Sequence, residues 1–296
     1  MTNNLTPDSA CRTFFSNDIH FASFSNAILF DGKQVIHPER LVRYENDTSF
    51  IINDTKSVED EKRRRDIVVK TDINGIYCLF GIEHQSSIDQ EMVIRCGNYE
   101  MVEYLKQLKN KRLVPQLMVV FYTGSRKWEG PLKLSDYLEI PKELKPYFND
   151  WKIYLVDVKV IDTSKIKDKQ TRYFIEAIQN MYKGNYDKLH RKIKMNRNNF
   201  IYAAIITGSL DLIKDLPEGD EIDMCEGMER MAEGFRSEGK LEEKRNTLKE
   251  QLVIKLGAIS SRLEEQLTNA SLEKLNVLTR NIFDITSEED VLRIIH

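Results

Sequence analysis

The chain has 296 residues, of which 41% are hydrophobic and 31% are charged, and its formal net charge at pH 7 is −3. This length allows one large domain or a core with an appended domain. The net charge is too small and of the wrong sign to attract polyanions. Binding of a polyanion would therefore need local basic patches. The four cysteines form neither a C-x-x-C pair nor a cluster with zinc-ligand spacing, which argues against a structural zinc site.

The N-terminal residues lack a basic segment followed by an apolar one, so we expect no signal peptide. No apolar run reaches the ~18 residues that a membrane span requires. These features predict a soluble protein of the reducing cytoplasm, without a membrane partner.

Hydrophobic periodicity and turn residues predict the elements of the first part of the chain. The chain begins with a predicted helix over 8–30, which Asp31-Gly32 ends, followed by predicted strands over 34–44 and 49–54. Residues 56–65 are predicted to form an exposed charged loop. The segments DIVVKT and GIYCLFGIE are predicted to form a hairpin whose connecting loop is longer than two residues. Further predictions are a helix over 89–109, strands in LVPQLMVVFY and WKIYLVDVKVI, and a helix over 168–182. Strands that alternate with helices imply an α/β core with some parallel pairing.

Composition changes near the C-terminus. Residues 215–229 contain seven acidic and no basic side chains and are predicted to be a linker. Beyond them, good helix formers predict a helical tail, so we divide the chain into domains 1–224 and 225–296. Ser271 and Ser287 are predicted helix N-caps, the second in a capping box. The tail also has an apolar stripe of Leu241, Leu248, Leu252 and Leu256, whose exposure would drive formation of a homodimer; the alternative is that the tail packs on its own chain.

The segments RRRDIVVK and GIYCLFGIEHQSS contain the candidate chemistry. Side chains of a strand alternate between faces, so Asp66 and Lys70 share one face, as do Glu83 and Gln85. Neighbouring strands of a hairpin could set Asp66 and Glu83 side by side at a strand end. The alternative is that each is a surface residue that caps a strand.

Two adjacent carboxylates repel each other by about 4 kcal/mol at ~4 Å and an effective dielectric constant of ~20. Either one takes a proton or a cation lies between them. Mg²⁺ suits such a pair because it binds through few carboxylates and keeps waters or phosphates as its other ligands, with Mn²⁺ and Ca²⁺ as alternatives. Relief of this repulsion would raise the melting temperature of the metal-free protein when either carboxylate is removed.

The surrounding segments RRRDIVVK, IEHQSSIDQEMVIRCGNYE, VPQLMVVFYTGSRKW and PDSACRTFFSN resemble the recombination-promoting nucleases, a family of PD-(D/E)xK transposase-like nucleases. The tail, with KEQLVIKLG and ASLEKLNVLTRNIFDITSEEDVL, is similar as well, and the resemblance thins between residues 140 and 225. It implies a restriction-endonuclease-like core of a mixed sheet flanked by helices, followed by the helical tail. It also implies Mg²⁺-dependent cleavage of DNA linked to recombination or mobile elements.

The resemblance implies that Asp66 and Glu83 are metal ligands. It also implies that Gln85 stands where most PD-(D/E)xK nucleases have a lysine. Glutamine offers dipoles where lysine offers a charge. Lys70, on the Asp66 face, could lend that charge or could be an ordinary surface lysine. A catalytically weak DNA-binding or assembly protein is therefore the main alternative function, and an interaction module based on the tail is the third.

Four further residues are candidates for supporting roles. Arg95 and Tyr99 lie one helical turn apart and could contact a phosphate, or Arg95 could support Glu83 structurally. Asp8 could join the site or cap the first helix. His84 faces away from Glu83 and is expected to be a packed core histidine.

Two basic segments, 183–197 and 106–112, suit the DNA backbone, and such binding would be sensitive to salt and indifferent to sequence. The alternative is that they are solvated surfaces.

Overall fold

The structure is a computed structural model that describes residues 5–44, 67–109, 111, 113–214 and 216–295, with the backbone alone for 231–239. The chain divides into two compact units, Met1–Met228 and Glu229–His296. No helix within the described ranges is long and apolar enough to cross a membrane.

The first unit combines helices with a mixed sheet. Its helices are α1 (Pro7–Phe15), α2 (Asp18–Phe30), α3 (Met92–Lys109), α4 (Lys169–Tyr182), α5 (Arg197–Thr207) and the beginning of α6 (Met224–Leu256). Its strands are β1 (Val42–Arg43), β2 (Ile67–Ile73), β3 (Ile76–Gln85), β4 (Gln116–Tyr122), β5 (Tyr154–Asp157), β6 (Lys194–Asn196) and β7 (Glu221–Asp223).

Among the described residues, the main sheet has the strand order β1-β2-β3-β4-β5. Pairing is antiparallel from β1 to β3 and parallel from β3 to β5. Parallel neighbours need a long crossover, and α3 provides it between β3 and β4. The predicted α/β class, a mixed sheet flanked by helices with a helical C-terminal region, is confirmed.

The hairpin of β2 and β3 fixes the register of the sheet. Ile67 pairs with Ile82 and Ile73 with Ile76, so only Asn74 and Gly75 form the turn. The sequence predicted a longer loop, and that prediction is wrong. Both turn residues have positive φ, 52° and 82°, as a two-residue type I′ turn requires, and asparagine and glycine tolerate this conformation best.

The two faces of the main sheet bury different cores. On one face, Met118, Val120 and Tyr122 of β4 pack with Met92 and Cys96 of α3. The other face is aromatic, and its ring contacts join α1, α2, α4 and β4: Phe14 with Phe174, and Phe121 with both Phe15 and Phe24. Because successive residues of a strand point to opposite faces, β3 contributes side chains to both cores in turn.

The N-terminal region differs from its prediction. The single helix expected over 8–30 is two helices, because the Asn17 side chain accepts a hydrogen bond from the Ile19 amide at 2.9 Å and starts α2 afresh. The strand expected over 34–44 shrinks to β1, since a 3-10 turn begins at Pro38. The predicted strand 49–54 and loop 56–65 lie outside the described residues.

The acidic segment predicted to be a linker is partly structured. Within it, β7 pairs with β6 and α6 begins at Met224. Ile222 of β7 and Met195 of β6 are both buried, so this small sheet has an apolar core contact that the count of acidic residues concealed.

The second unit is helical and has its own core. Beyond α6 it contains α7 (Ser261–Asn269), α8 (Leu272–Arg280) and α9 (Glu288–Ile295). The predicted N-caps are confirmed: the Ser271 side chain accepts from Lys274 N, and Ser287 and Asp290 cap each other reciprocally. The core consists of apolar side chains from all four helices and the loops between them: Leu248, Leu252, Leu263, Leu267, Ala270, Leu275, Leu278, Ile282, Ile285, Val291 and Ile295.

The leucine stripe of the tail lies inside this core. Leu248 and Leu252 are fully buried, and Leu241 and Leu256 pack against the same cluster. The stripe is therefore covered by the tail's own helices, which removes the exposed surface from which a homodimer was predicted. Self-association stays a prediction without that support.

We expect Leu252→Ala to destabilise the tail by about 2–5 kcal/mol, because a buried leucine leaves a cavity in a core that cannot fully collapse. Its mass by light scattering should equal that of the wild type, whether monomer or dimer. The exposed Ile254→Ala is the matched control and should leave stability unchanged. A mass that halves in Leu252→Ala would show that the stripe is an interface between two chains.

Candidate active site at the carboxyl ends of the parallel strands

The parallel register brings the ends of three strands to one edge of the sheet. Gln85 of β3 pairs with Tyr122 of β4, which pairs with Asp157 of β5. Glu83 pairs with Val120, two residues inside this edge. The edge is referred to below as the carboxyl edge.

Glu83 is a buried carboxylate, only 3% exposed. A charge in such a position requires a partner, because desolvation costs several kcal/mol per ion. The partner is Arg95 of α3, whose Nη2 lies 2.7 Å from Glu83 Oε1. The alternative in which Arg95 supports Glu83 structurally thus matches the observed contact.

Arg95 holds more than one group. Its Nη1 donates to Asp89 Oδ2, and its Nη2 lies 3.5 Å from the Tyr99 hydroxyl, one helical turn along α3. Burial alone would lower the pKa of Arg95, but its contacts with Tyr99, Asp89 and Glu83 together raise it. Arg95 is therefore a fixed positive charge between two carboxylates.

Tyr99 is buried next to this pair. Burial first, and then the negative charge of Glu83, raise the pKa of Tyr99, and the cation of Arg95 offsets only part of that effect. Tyr99 therefore stays protonated at neutral pH. Glu83, Arg95, Tyr99 and Asp89 form one polar cluster between β3 and α3.

His84 lies on the other face of β3, as predicted, and is buried. Its Nδ1 lies 2.6 Å from Asp8 Oδ1 of α1, and its Nε2 lies 2.7 Å from Thr123 Oγ1. Thr6, rather than Asp8, is the N-cap of α1. Asp8 therefore reaches the carboxyl edge by its contact with His84, on the face of β3 opposite to Glu83.

The hydrogen bond from His84 is the largest of the effects that lower the pKa of Asp8. A carboxylate with a depressed pKa stabilises the fold above its ordinary pKa, and this contribution disappears as pH falls through the depressed value. We expect Asp8→Asn to lower the melting temperature at pH 7 and to approach the wild type as pH falls through the depressed pKa of Asp8. The exposed Asp187→Asn is the control for loss of a carboxylate away from His84; a pH-independent difference for Asp8→Asn would contradict the assignment.

The predicted site residues divide into those that the structure brings together and those that it does not. Glu83, Arg95 and Tyr99 are in contact, and Gln85 lies two residues beyond Glu83 at the edge. Lys70 does not approach Glu83. It pairs with Leu79, four residues earlier in β3 and ~13 Å away at the rise of a strand, and its Nζ lies 4.5 Å from the centre of the Tyr77 ring.

Asp66, the predicted second carboxylate, lies outside the described residues. Among those that are described, no three histidine, cysteine, aspartate or glutamate side chains are grouped so that they could hold a metal ion. The Glu83 carboxylate and the half-buried Gln85 amide are two oxygen donors on one face of β3 at this end of the strand.

Sequence reasoning missed Thr123 and Asp89 as parts of the site. Thr123 directly follows the apolar run of β4, and residues that follow parallel strands meet at one edge of a sheet. That rule would have placed it beside Gln85, whose carbonyl oxygen accepts a hydrogen bond from Thr123 N at 2.8 Å. Asp89 belongs to the segment IEHQSSIDQEMVIRCGNYE that resembles the nuclease family, but its contact with Arg95 depends on how α3 packs.

Comparison with protein families gives a match over residues 46–200, more than half of the chain, to the family described as "Putative transposase, YhgA-like". No curated protein and no solved structure matches the chain. The matched segment contains β2, β3, α3 and β4, and thus Glu83, Gln85 and Arg95. The chain belongs to the YhgA-like transposase family, which is the PD-(D/E)xK transposase-like family.

Proposed function

We propose that this protein is a metal-dependent nuclease that hydrolyses phosphodiester bonds of DNA. Membership of a transposase-like family suggests a nuclease associated with mobile elements. The observation that carries the proposal is the buried Glu83 carboxylate, held by Arg95 near the carboxyl edge and followed by Gln85 on the same face. Ligand and catalytic sites of open α/β sheets commonly lie at this edge.

The second carboxylate of the proposed site is Asp66. The register supports this choice, because Ile67 pairs with Ile82, and the next residues in the chain are Asp66 on one side and Glu83 on the other. Continuing an antiparallel register by one pair would set the two side chains on one face.

The donor chemistry near Glu83 fits Mg²⁺, which takes oxygen ligands and needs only one or two carboxylates from the protein. Glu83 and Asp66 would hold it. When bound, Mg²⁺ lowers the pKa of a coordinated water and offsets negative charge on the phosphate. Arg95 holds Oε1 of Glu83 and so fixes the orientation of the carboxylate that would bind the ion.

Gln85 takes the position of the usual lysine and offers an amide that could orient the attacking water or a phosphate oxygen. Arg95 supplies the fixed positive charge that glutamine lacks. We do not assign this positive charge to Lys70, because Lys70 pairs with Leu79 in the sheet, away from Glu83.

The proposal is tested by incubating supercoiled plasmid with the full chain and Mg²⁺, Mn²⁺ or Ca²⁺, and with EDTA. Nicked or linear product is expected with Mg²⁺ and Mn²⁺ and not with EDTA. Binding of Mn²⁺, measured by calorimetry, should be lost in Glu83→Gln. A wild-type chain that binds DNA but neither binds Mn²⁺ nor cuts would instead be the catalytically weak DNA-binding protein.

Gln85→Ala should reduce the cleavage rate by about 10²-fold, the effect of removing one hydrogen-bonding group from a reaction centre. Gln85→Lys should keep activity at or above the wild-type level, since it restores a charge at that position. Thermal unfolding should be nearly unchanged in both, because the Gln85 side chain is only half-buried. Wild-type cleavage by the alanine variant in a plasmid time course would exclude a catalytic role for Gln85.

A further inference from the structure

One basic segment of the sequence lies at the edge of the main sheet remote from Gln85, and the other begins at the carboxyl edge. Lys106 and Lys109 lie in the last turn of α3, and Lys111 follows on the way to β4, whose first residue, Gln116, pairs with Leu79. They therefore lie at the edge remote from Gln85. The other segment, which begins at Lys183, directly follows α4.

The end of α4 is tied to the carboxyl edge. The Tyr182 hydroxyl donates to the carbonyl oxygen of Thr123 and lies 3.3 Å from that of Ile206. Thr123 is itself bonded through its backbone amide to Gln85 O at 2.8 Å. Two hydrogen bonds thus connect the residue before Lys183 with the strand that carries Glu83.

Lys159 shapes the loop that follows β4. Its ammonium donates to the carbonyl oxygens of Gly124 and Arg126, the latter at 3.1 Å, and pairs with Asp157 at 3.0 Å. With its carbonyls held by Lys159, this loop exposes the side chains of Arg126 and Lys127 at the carboxyl edge.

From Lys183 the chain runs back along α4. Arg191 pairs with Glu176 at 2.6 Å, and Lys194 O accepts a hydrogen bond from Gln170 at 3.3 Å. From Tyr182 back to Gln170, α4 spans about 18 Å at 1.5 Å per residue. This path begins at the carboxyl edge and continues away from it.

Among the exposed cationic side chains on this route are five that lie on loops or short turns, and none of these five pairs with a carboxylate among the residues that the structure describes. They are Arg126, Lys127, Lys183, Lys188 and Lys192. An exposed carboxylate, Asp187, lies among them, so the charge of the route is clearly positive but not uniform.

We infer that Arg126, Lys127, Lys183, Lys188 and Lys192 form the surface that binds the phosphate backbone of duplex DNA and leads it to the carboxyl edge. This inference rests on the proposed nuclease function. About 18 Å corresponds to roughly five phosphates of one DNA strand at 3.4 Å each. Lysine and arginine in such a row contact phosphates rather than base edges, so binding should be indifferent to sequence.

The test compares two double variants of the full chain that remove the same charge. Lys183→Gln/Lys188→Gln changes the inferred surface, and Lys109→Gln/Lys111→Gln changes the opposite edge. Binding of a labelled 30-base-pair duplex is measured by fluorescence anisotropy in EDTA between about 50 and 200 mM salt, where counterion release dominates affinity.

The Lys183/Lys188 variant should bind at least about 10-fold more weakly at 0.1 M salt, and its plot of log affinity against log salt should be shallower by about 1.8, or 0.9 per lost contact. The Lys109/Lys111 variant should match the wild type. Equal losses in both variants, loss only in the second, no loss in either, or tighter binding of an RNA duplex than of DNA would each overturn the inference.

Failure of this inference is distinguishable from failure of the proposed function. If the Lys183/Lys188 variant binds like the wild type while Glu83→Gln loses cleavage, the nuclease stands and its DNA surface lies elsewhere. If Glu83→Gln cuts normally while the Lys183/Lys188 variant loses binding, the surface is supported and the active site is wrong.

Discussion

Replacing Glu83 with glutamine is expected to abolish Mg²⁺-dependent cleavage, with a loss of at least about 10³-fold. A bound metal contributes several kcal/mol to stabilisation of the transition state, and 1.36 kcal/mol corresponds to tenfold in rate. Asp66→Asn should have the same effect if the two carboxylates share one ion. Plasmid nicking measured over several hours gives the range that this comparison needs.

The stability of the Glu83 variants provides a second readout. From like-charge repulsion alone, the sequence predicted a higher melting temperature on removal of Glu83. The contact of Glu83 with Arg95 reverses this expectation, because Glu83→Ala leaves a guanidinium whose remaining acidic partner, within the part of the chain that the structure describes, is Asp89. We expect a loss of about 3 kcal/mol, typical of breaking a buried pair. Cleavage near the wild-type rate in a folded Glu83→Gln protein would eliminate the proposed site.

Removing the cation should have the second largest effect. Arg95→Leu leaves Glu83, which is 3% exposed, without its guanidinium partner, and we expect destabilisation of about 3–5 kcal/mol in denaturant unfolding. Cleavage should fall by about 10²-fold in the folded fraction, because groups that orient a metal ligand typically change affinity or activity by 10–100-fold.

Arg95→Lys separates charge from geometry. A single ammonium keeps the charge but cannot bridge Glu83 and Asp89 as the forked guanidinium does. It should recover most of the stability and only part of the Mn²⁺ affinity measured by calorimetry. If both Arg95→Leu and Arg95→Lys bind Mn²⁺ as tightly as the wild type, Arg95 serves the fold alone.

The sequence predicted those parts of the fold that depend on local pattern. Nearly continuous apolar runs located β3 and β4, and the strand period correctly placed Glu83 and His84 on opposite faces. The break between α1 and α2 was missed because Asn17 interrupts an apolar pattern that continues on both sides. Its capping bond decides the boundary, and such a bond depends on backbone geometry that periodicity does not report.

The site was predictable to the extent that it depends on strand faces, and less so where it depends on register. Lys70 and Glu83 lie on the same face of the sheet, but the hairpin pairs Lys70 with Leu79, four residues before Glu83 in β3. The register that would set Asp66 opposite Glu83 already places Lys70 opposite Leu79, so a shared face alone did not bring Lys70 close to Glu83. The contact of Arg95 with Asp89 depends on the packing of α3 and could not be predicted from the sequence pattern.

The tight Asn74-Gly75 turn also has an evolutionary consequence. A one-residue insertion or deletion between Gly75 and Glu83 would shift every later side chain of β3 to the opposite face, which puts Ile82 or His84, respectively, in the place of Glu83 beside α3. Such length changes should be purged from the descendants of this gene, whereas ordinary substitutions at the exposed Ile76 or Tyr77 should accumulate. Gly184, with open space around it, lies in a loop where added residues would disturb no pairing. Lineages of this protein should therefore vary in length after α4 and keep the hairpin constant.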